Sequence, residues 1–440
     1  MNARENNSKR SAYAGLGRHF QVVQPHGPLP WRHLIHQPRI KNMKKYTTLV
    51  AIFALSIAAF VPSLFAQLSI PSDGSDGALN ITSNTVIDLS RAATGTWSIP
   101  ASGNGIYDPV QWAVVFKYSS INIANGATVT FANHYANPPV IWLVQSNVTL
   151  NGTVSVNGNN GVNGNGGPIA DPGETLLNPP GPGGFRGGAY DPSIGIGDGL
   201  GPGGGAADLC GSCPDASYLG SYGNPQILPL IGGSGEGARN NCNNGSGGSG
   251  AGAILIAAGG TVTVNGLVTA FPGYGVCGGD TAAGGGIRIV ASQILGNGSI
   301  NTAPEGRIRI ETTNLSPQLT ITPNIDPVAP NSPPAIFPPT NAPTVSIVMV
   351  GGLNAPSDPQ ALVTAAPDIG IQTNSPVTVV LQTQNFPTTG TVALRVVPVF
   401  ASSWVTNATF ASGNSTSATW QLTAQIPLGY CVLQAHATSQ

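Results

Sequence analysis

Four Asn-Gly pairs, Asn125-Gly126, Asn151-Gly152, Asn265-Gly266 and Asn297-Gly298, recur between short alternating runs of β-branched residues, and this phrase constrains the chain more than any other feature. Upstream of each pair lies an apolar run: Val114-Val115-Phe116, Ile141 to Val144, Ile254-Leu255-Ile256 and Ile287 to Val290. Taken singly, Asn-Gly between alternating residues signals an antiparallel hairpin, because both residues tolerate positive φ. Here the whole phrase repeats as strand, polar corner, strand, Asn-Gly corner, strand. Its spacing is 26 residues from Gly126 to Gly152 and 32 from Gly266 to Gly298. Repetition of that length favours a coiled parallel sheet, a β-solenoid in which each turn buries its apolar face against its neighbours. Stacked corners would let Asn side chains ladder along the axis.

The start of the chain reads differently. Residues 1–42 mix Arg, His, Pro and Asn without apolar periodicity and give way to a second methionine, so they are expected to be an extension outside the working protein. Residues 43–66 have the parts of a secretory signal: Lys44 and Lys45, the apolar stretch Leu49 to Val61, then Pro62 to Ala66 before a cut. The stretch is short for a membrane span and ends at Pro62, so no retained span is expected. The mature chain then begins near Gln67 and is secreted, extracellular or at the cell surface. Nine of the 17 basic residues and one of the 18 acidic residues lie in the first 66, which leaves 8 basic against 17 acidic. So acidic a surface repels nucleic acid, which is excluded as a partner, and anionic lipid.

The mature chain is too long for one core, and its composition marks two domains. Residues 67–322 form the glycine-rich repeat domain, with an insertion at 157–252 in which 30 of 96 residues are glycine. Residues 323–343, with eight prolines in 21, read as an extended linker. Residues 344–440 alternate as short strands over Val345 to Val350, Pro376 to Gln384, Thr391 to Val399, Ser417 to Ala424 and Gly429 to Ala437, which predicts an immunoglobulin-like or fibronectin-like β-sandwich. Trp404, Phe410 and Trp420 fit its core or edges better than a sugar platform. The insertion is either a long flexible loop or close-packed glycine backbone folded over one face. Phe185, Tyr190, Ile196, Tyr222 and Ile231 punctuate it and favour the second reading.

Cysteines bear on the same insertion. Cys210, Cys213, Cys242 and Cys277 lie in or just after it, and Cys431 is far away. In an exported chain they are expected as disulfides, with three possible pairings. Cys242 with Cys277 and Cys210 with Cys213 would close the insertion against the strand that follows. Cys210-Gly-Ser-Cys213 is also half of a zinc site, but no second such motif and no nearby histidine completes it. Cys431 is expected as a free buried thiol.

The segment from about Ser72 to Glu311 resembles glycine-rich secreted bacterial proteins with a right-handed parallel β-helix of the pectin-lyase-like type. The resemblance rests on Ser-Asp-Gly-Ser-Asp-Gly-Ala-Leu-Asn at 72–80, Gly-Pro-Gly-Gly-Phe-Arg-Gly-Gly at 181–188, Gly-Ala-Ile-Leu-Ile-Ala-Ala at 252–258 and Gly-Arg-Ile-Arg-Ile-Glu at 306–311. It implies the fold and not an activity, since that fold serves lyases, hydrolases, adhesins and passive surface proteins alike.

Chemistry is sparse. A lyase or hydrolase on such a fold needs converging carboxylates, a calcium cluster or a basic group on one outer face. No G-x-S-x-G, H-E-x-x-H or Walker motif occurs, and no catalytic residue is assigned. The densest charged group is Asp280, Arg288, Glu305, Arg307, Arg309 and Glu311, expected as an outward strand face with cross-strand ion pairs and as a candidate ligand-binding strip. Asp73, Asp76 and Asp198 sit in Asp-Gly turns and are the weak calcium candidates, although neither segment completes a calcium loop. No other cofactor is implied. The expected function is a secreted, non-catalytic surface or matrix protein that contacts polysaccharide or a cell-surface glycan. The alternatives are a polysaccharide lyase or glycoside hydrolase, and a structural spacer.

Overall fold

The computed structural model describes residues 67–162, 178–191, 193–207, 222–239, 245–276, 281–303, 305–360 and 367–439. The expected extension and signal at 1–66, Asp280, and Cys210, Cys213, Cys242 and Cys277 lie outside the described residues. The described chain is nearly all β, with one turn of 3-10 helix at Leu89–Arg91.

Three sheets organise residues 78–322, and their strand pairs are parallel except that of Ile106–Asp108 with Ala113–Tyr118. The first runs in the order Ala78–Ile81, Ser120–Ile123, Val148–Leu150, Thr261–Val264, Gln293–Leu295 and Asn314–Leu315. A second has Thr85–Asp88, Thr128–Ala132, Thr153–Ser155, Leu267–Ala270, Ser299–Thr302 and Thr320–Thr322. In the third, the parallel strands are Ala113–Tyr118, Val140–Val144, Ala253–Ala258, Gly286–Val290 and Arg307–Glu311. The chain visits first, second and third sheets in rotation, so each strand pairs with its counterpart from the previous phrase.

All four Asn-Gly pairs fall at one kind of corner, between a first-sheet and a second-sheet strand. The flanking strands are therefore not paired with each other, and hairpin geometry is not what the glycines serve. Gly126 takes a positive φ of 80° with nothing within 4 Å of an added Cβ, while Gly152, Gly266 and Gly298 answer close approach. A Cβ on Gly266 would lie 1.9 Å from the carbonyl oxygen of Gly152, and one on Gly298 would lie 2.2 Å from that of Gly266. One rung of the expected Asn ladder is present, Asn265 Nδ2 donating to Asn151 Oδ1 at 2.8 Å.

Inward positions repeat down each sheet. Val129, Val154, Val268, Ile300 and Ile321 are in register in the second sheet, and Val114, Val140, Ile254, Ile287 and Ile308 in the third. With Ile121, Val148, Val262 and Ile294 of the first they form one apolar core. A one-residue slip would turn a whole column of these outward, so burial pins the register.

The third sheet is buried on both faces. Its outer side carries Val115, Ile141, Leu143, Leu255 and Val290 in a second apolar cluster roofed by Leu68, Ile227, Leu230 and Ile336. The proline-rich segment is part of that roof. Val328 bridges to Glu311 at the sheet edge, Ile336 is buried, and Phe337 packs on Trp97 at 5.4 Å between ring centroids.

Over its described residues the glycine-rich insertion is a bundle of extended segments joined by backbone hydrogen bonds. Residues 245–252 show the rule. Ser246, Ser249 and Gly252 donate to Val162, Asn159 and Val156; Gly247 and Gly250 donate to Gly188 and Phe185; Gly248 and Ala251 accept from Glu236 and Gly233. Each neighbour is met at every third residue, the period of a polyproline II helix, so one segment serves three partners around its axis. Where a Cα faces a neighbouring backbone, as at the glycines of this segment, a side chain has no room. A Cβ on Gly250 would stand 1.9 Å from the Gly233 oxygen.

The described residues of 344–439 form two antiparallel sheets. One orders Leu353–Asn354, Thr344–Val350, Val377–Gln384, Ser417–Ala424 and Thr409–Gly413; the other orders Trp404–Asn407, Thr391–Pro398 and Cys431–Thr438. Val379, Leu381, Leu394, Val396 and Trp420 share one core between them. Trp420 is buried there and donates to Thr383 Oγ1 at 3.0 Å, with Phe410 against its edge. Arg395, wholly buried, joins this unit to the glycine bundle by donating to the carbonyls of Gly199 and Gly201 and to Ser403 Oγ.

Gly250→Ala is expected to lower stability by about 1–3 kcal/mol through overpacking. Gly370→Ala, where nothing lies within 4 Å of the added carbon, is expected to leave the urea unfolding midpoint unchanged.

Candidate functional site

Arg288 and Arg309 stand next to each other in one outward column of the third sheet, below Leu255, and Arg307 begins the last strand. Their placement follows the alternation in the sequence, but the face is roofed rather than solvated. Arg288 is 3% exposed. Its Nε and Nη2 both lie 2.8 Å from Glu311 Oε1, and its Nη1 donates to the carbonyl of Ala335 at 2.7 Å. Arg309 Nε reaches the same carboxylate oxygen at 2.7 Å, and Nη1 donates to Pro225. Arg307 lies 5.3 Å over the Tyr222 ring and donates to the carbonyls of Tyr222 and Ile231. Burial lowers the pKa of both Arg288 and Arg307, with Glu311 opposing the shift at Arg288.

These guanidiniums therefore clamp the 222–231 and 325–337 segments to the sheet. Glu305 is exposed. The face expected to point outward is covered at Arg288 and Glu311, each 3% exposed, although the expected cross-strand ion pair is present. The roof takes both out of water, and each then depends on the other. Arg288→Ala should cost about 3–5 kcal/mol, the penalty for stranding a buried charge. Arg309→Ala, at a 22% exposed side chain, should cost clearly less in the same denaturant titration.

The three calcium candidates brace backbone. Asp73 accepts from the Ser75 amide at 3.0 Å and pairs with Lys117 Nζ at 3.1 Å. Asp76 accepts from the amides of Gly103, Gly105 and Lys117 at 2.9, 3.0 and 2.7 Å. Asp198, buried, accepts from the amides of Ala207 and Ser403 and so tethers the glycine bundle to the C-terminal unit. Among the described residues no group of three His, Cys, Asp or Glu is placed to hold a metal ion.

One polar cluster crosses 251 residues of sequence, which is why no local motif announced it. Tyr107 is fully buried and donates to Asp358 Oδ1 at 2.5 Å, and the His134 ring packs against it, tilted by 34°, at 4.1 Å between ring centroids. His134 Nδ1 accepts from the Ala136 amide, and burial lowers its pKa against the pull of Asp358. Cys431 is free and half-buried, and burial pushes its thiol up to about 12. An open cleft of about 370 Å³ is lined by Gln67, Leu68, Ser69, Ile70, Ser72 and Gln145.

The most ordered outward surface belongs to the second sheet. One column holds Thr128, Thr153, Leu267, Ser299 and Thr320. The next holds Thr130, Ser155, Thr269, Asn301 and Thr322, neighbours by two residues along each strand. Eight of these ten carry a hydroxyl, and none carries a charge. Thr269 is covered by Asn157, to which it donates at 3.1 Å; the other nine are half-buried or exposed. The first sheet continues the theme with Asn80, Asn122, Thr149 and Thr263 in one outward column. Alternations such as Thr128-Val-Thr130 and Thr320-Ile-Thr322 are visible in the sequence, but their alignment into columns needs the register. No family model, no curated protein and no solved structure matches the chain.

Proposed function

We propose that this is an exported, non-catalytic surface or matrix protein that contacts polysaccharide, with its three parallel sheets wound as the faces of a right-handed β-helix. The rotation of the chain through the three sheets supports the helical reading, and the signal-like segment at 43–66 supports export. One observation carries the functional reading: the second-sheet face presents columns of uncharged hydroxyl groups, while the strand arginines are spent on internal partners. Hydroxyl groups both donate and accept, which suits a polymer made of hydroxyls. The C-terminal two-sheet unit, read as an immunoglobulin-like or fibronectin-like sandwich, spaces or orients this face.

The test is to incubate the full exported chain with insoluble and soluble glycans, both neutral and uronate-containing. Retention on at least one glycan is expected, with no growth in reducing ends or unsaturated ends, with or without added calcium. Steady release of such ends would overturn the proposal in favour of a lyase or hydrolase.

A further inference from the structure

We infer that the outer face of the second sheet binds an extended, uncharged polysaccharide lying across the strands, with about one sugar to each strand. The inference rests on the polysaccharide reading above and adds the face, the direction and the charge class of the ligand.

Spacing gives the direction. Parallel strands are about 4.8 Å apart, so outward residues in register repeat at that interval across the sheet, and residues two apart on a strand stand about 6.6 Å apart. An extended chain of pyranoses linked through equatorial bonds advances by about one strand spacing per ring. Thr128, Thr153, Ser299 and Thr320 would then meet successive stretches of one chain, while Leu267 offers an apolar surface to the face of a ring. Backbone pairing fixes the spacing, and β-branched threonine has few rotamers to lose, so the ordering cost on binding is small. Each contact is weak; repetition over several strands gives the affinity.

Charge gives the class. Neither column holds a charged residue, whereas residues 67–440 carry 17 acidic against 8 basic side chains. A uronate polymer would be repelled by the molecule as a whole and would find no guanidinium or ammonium on this face. A neutral glucan, xylan or mannan meets neither obstacle.

The experiment compares wild type with Thr153→Lys/Ser299→Lys, which places two ammonium groups on the first column, and with Thr153→Val/Ser299→Ala, which removes two hydroxyls without adding charge. Asn122→Lys on the outward face of the first sheet serves as the comparison. Thermal unfolding of all four proteins establishes that the substitutions leave the fold intact, and affinity electrophoresis in β-glucan, xylan, mannan and polygalacturonate reads binding. Retardation by at least one neutral glycan is expected, weakened roughly tenfold or more in both double variants and unchanged in Asn122→Lys. Equal loss in Asn122→Lys would overturn the assignment to the second sheet. Retention on polygalacturonate alone would overturn this inference and leave the polysaccharide reading standing. Absence of retention on every glycan would sink both. Slowed ice growth lost in the lysine variant, without glycan retention, would show that the hydroxyl columns order water instead and would also overturn the inference.

Discussion

Hydrogen bonds between backbone segments far apart in sequence are the interaction on which the rest of this molecule depends. In the parallel sheets each strand bonds to its counterparts in the phrases before and after it. In the glycine bundle the segment 245–252 bonds to three others. A single net hydrogen bond contributes only about 0.5–1.5 kcal/mol, but leaving a buried one unmade costs more, so these networks close or fail together. The apolar core then sets register, because Val154 must face Val129 and Val268 and cannot face water.

This reliance on backbone explains the composition. Glycine is costly to order, because it surrenders more conformational freedom than any other residue. It is used where segments approach closer than a side chain allows. Gly250 against Gly233 in the bundle and Gly266 against Gly152 at the corners share that requirement. Charge, by contrast, acts as fasteners. Arg288 and Arg309 share Glu311 under the roof, Arg395 anchors the C-terminal sheets to the bundle, and Asp76 ties a turn to the Lys117 strand. What remains for a partner includes the uncharged, hydroxyl-lined columns on the outer surfaces of the first and second sheets.

Much of the architecture was legible in the sequence. The recurring Asn-Gly phrase gave the parallel rotation, and alternation gave the strands of the C-terminal sheets. Its local meaning was not legible: the phrase reads as a hairpin turn, yet the glycines at 266 and 298 answer a stacked carbonyl that no local pattern reveals. The charged strip at 288–311 was found as a cluster, but not its roof, because Pro225, Ile231 and Ala335 come from distant or irregular segments. The proline-rich segment read as a spacer from composition alone, although Ile336 is one of the residues that cover the third sheet. Tyr107, His134 and Asp358 were invisible together, and the hydroxyl columns required the register.

The central claim is that the glycine-rich insertion, over its described residues, is an integral, hydrogen-bonded layer rather than a loop. Amide hydrogen exchange measured residue by residue tests it most directly, since protection reports the free energy of local opening. The amides of Gly233, Gly235, Glu236, Gly250 and Gly252, each with a backbone acceptor, should exchange as slowly as those of Ala253–Ala258. Exchange at those five positions as fast as at the exposed residues Asp368 and Gly370 would contradict the account.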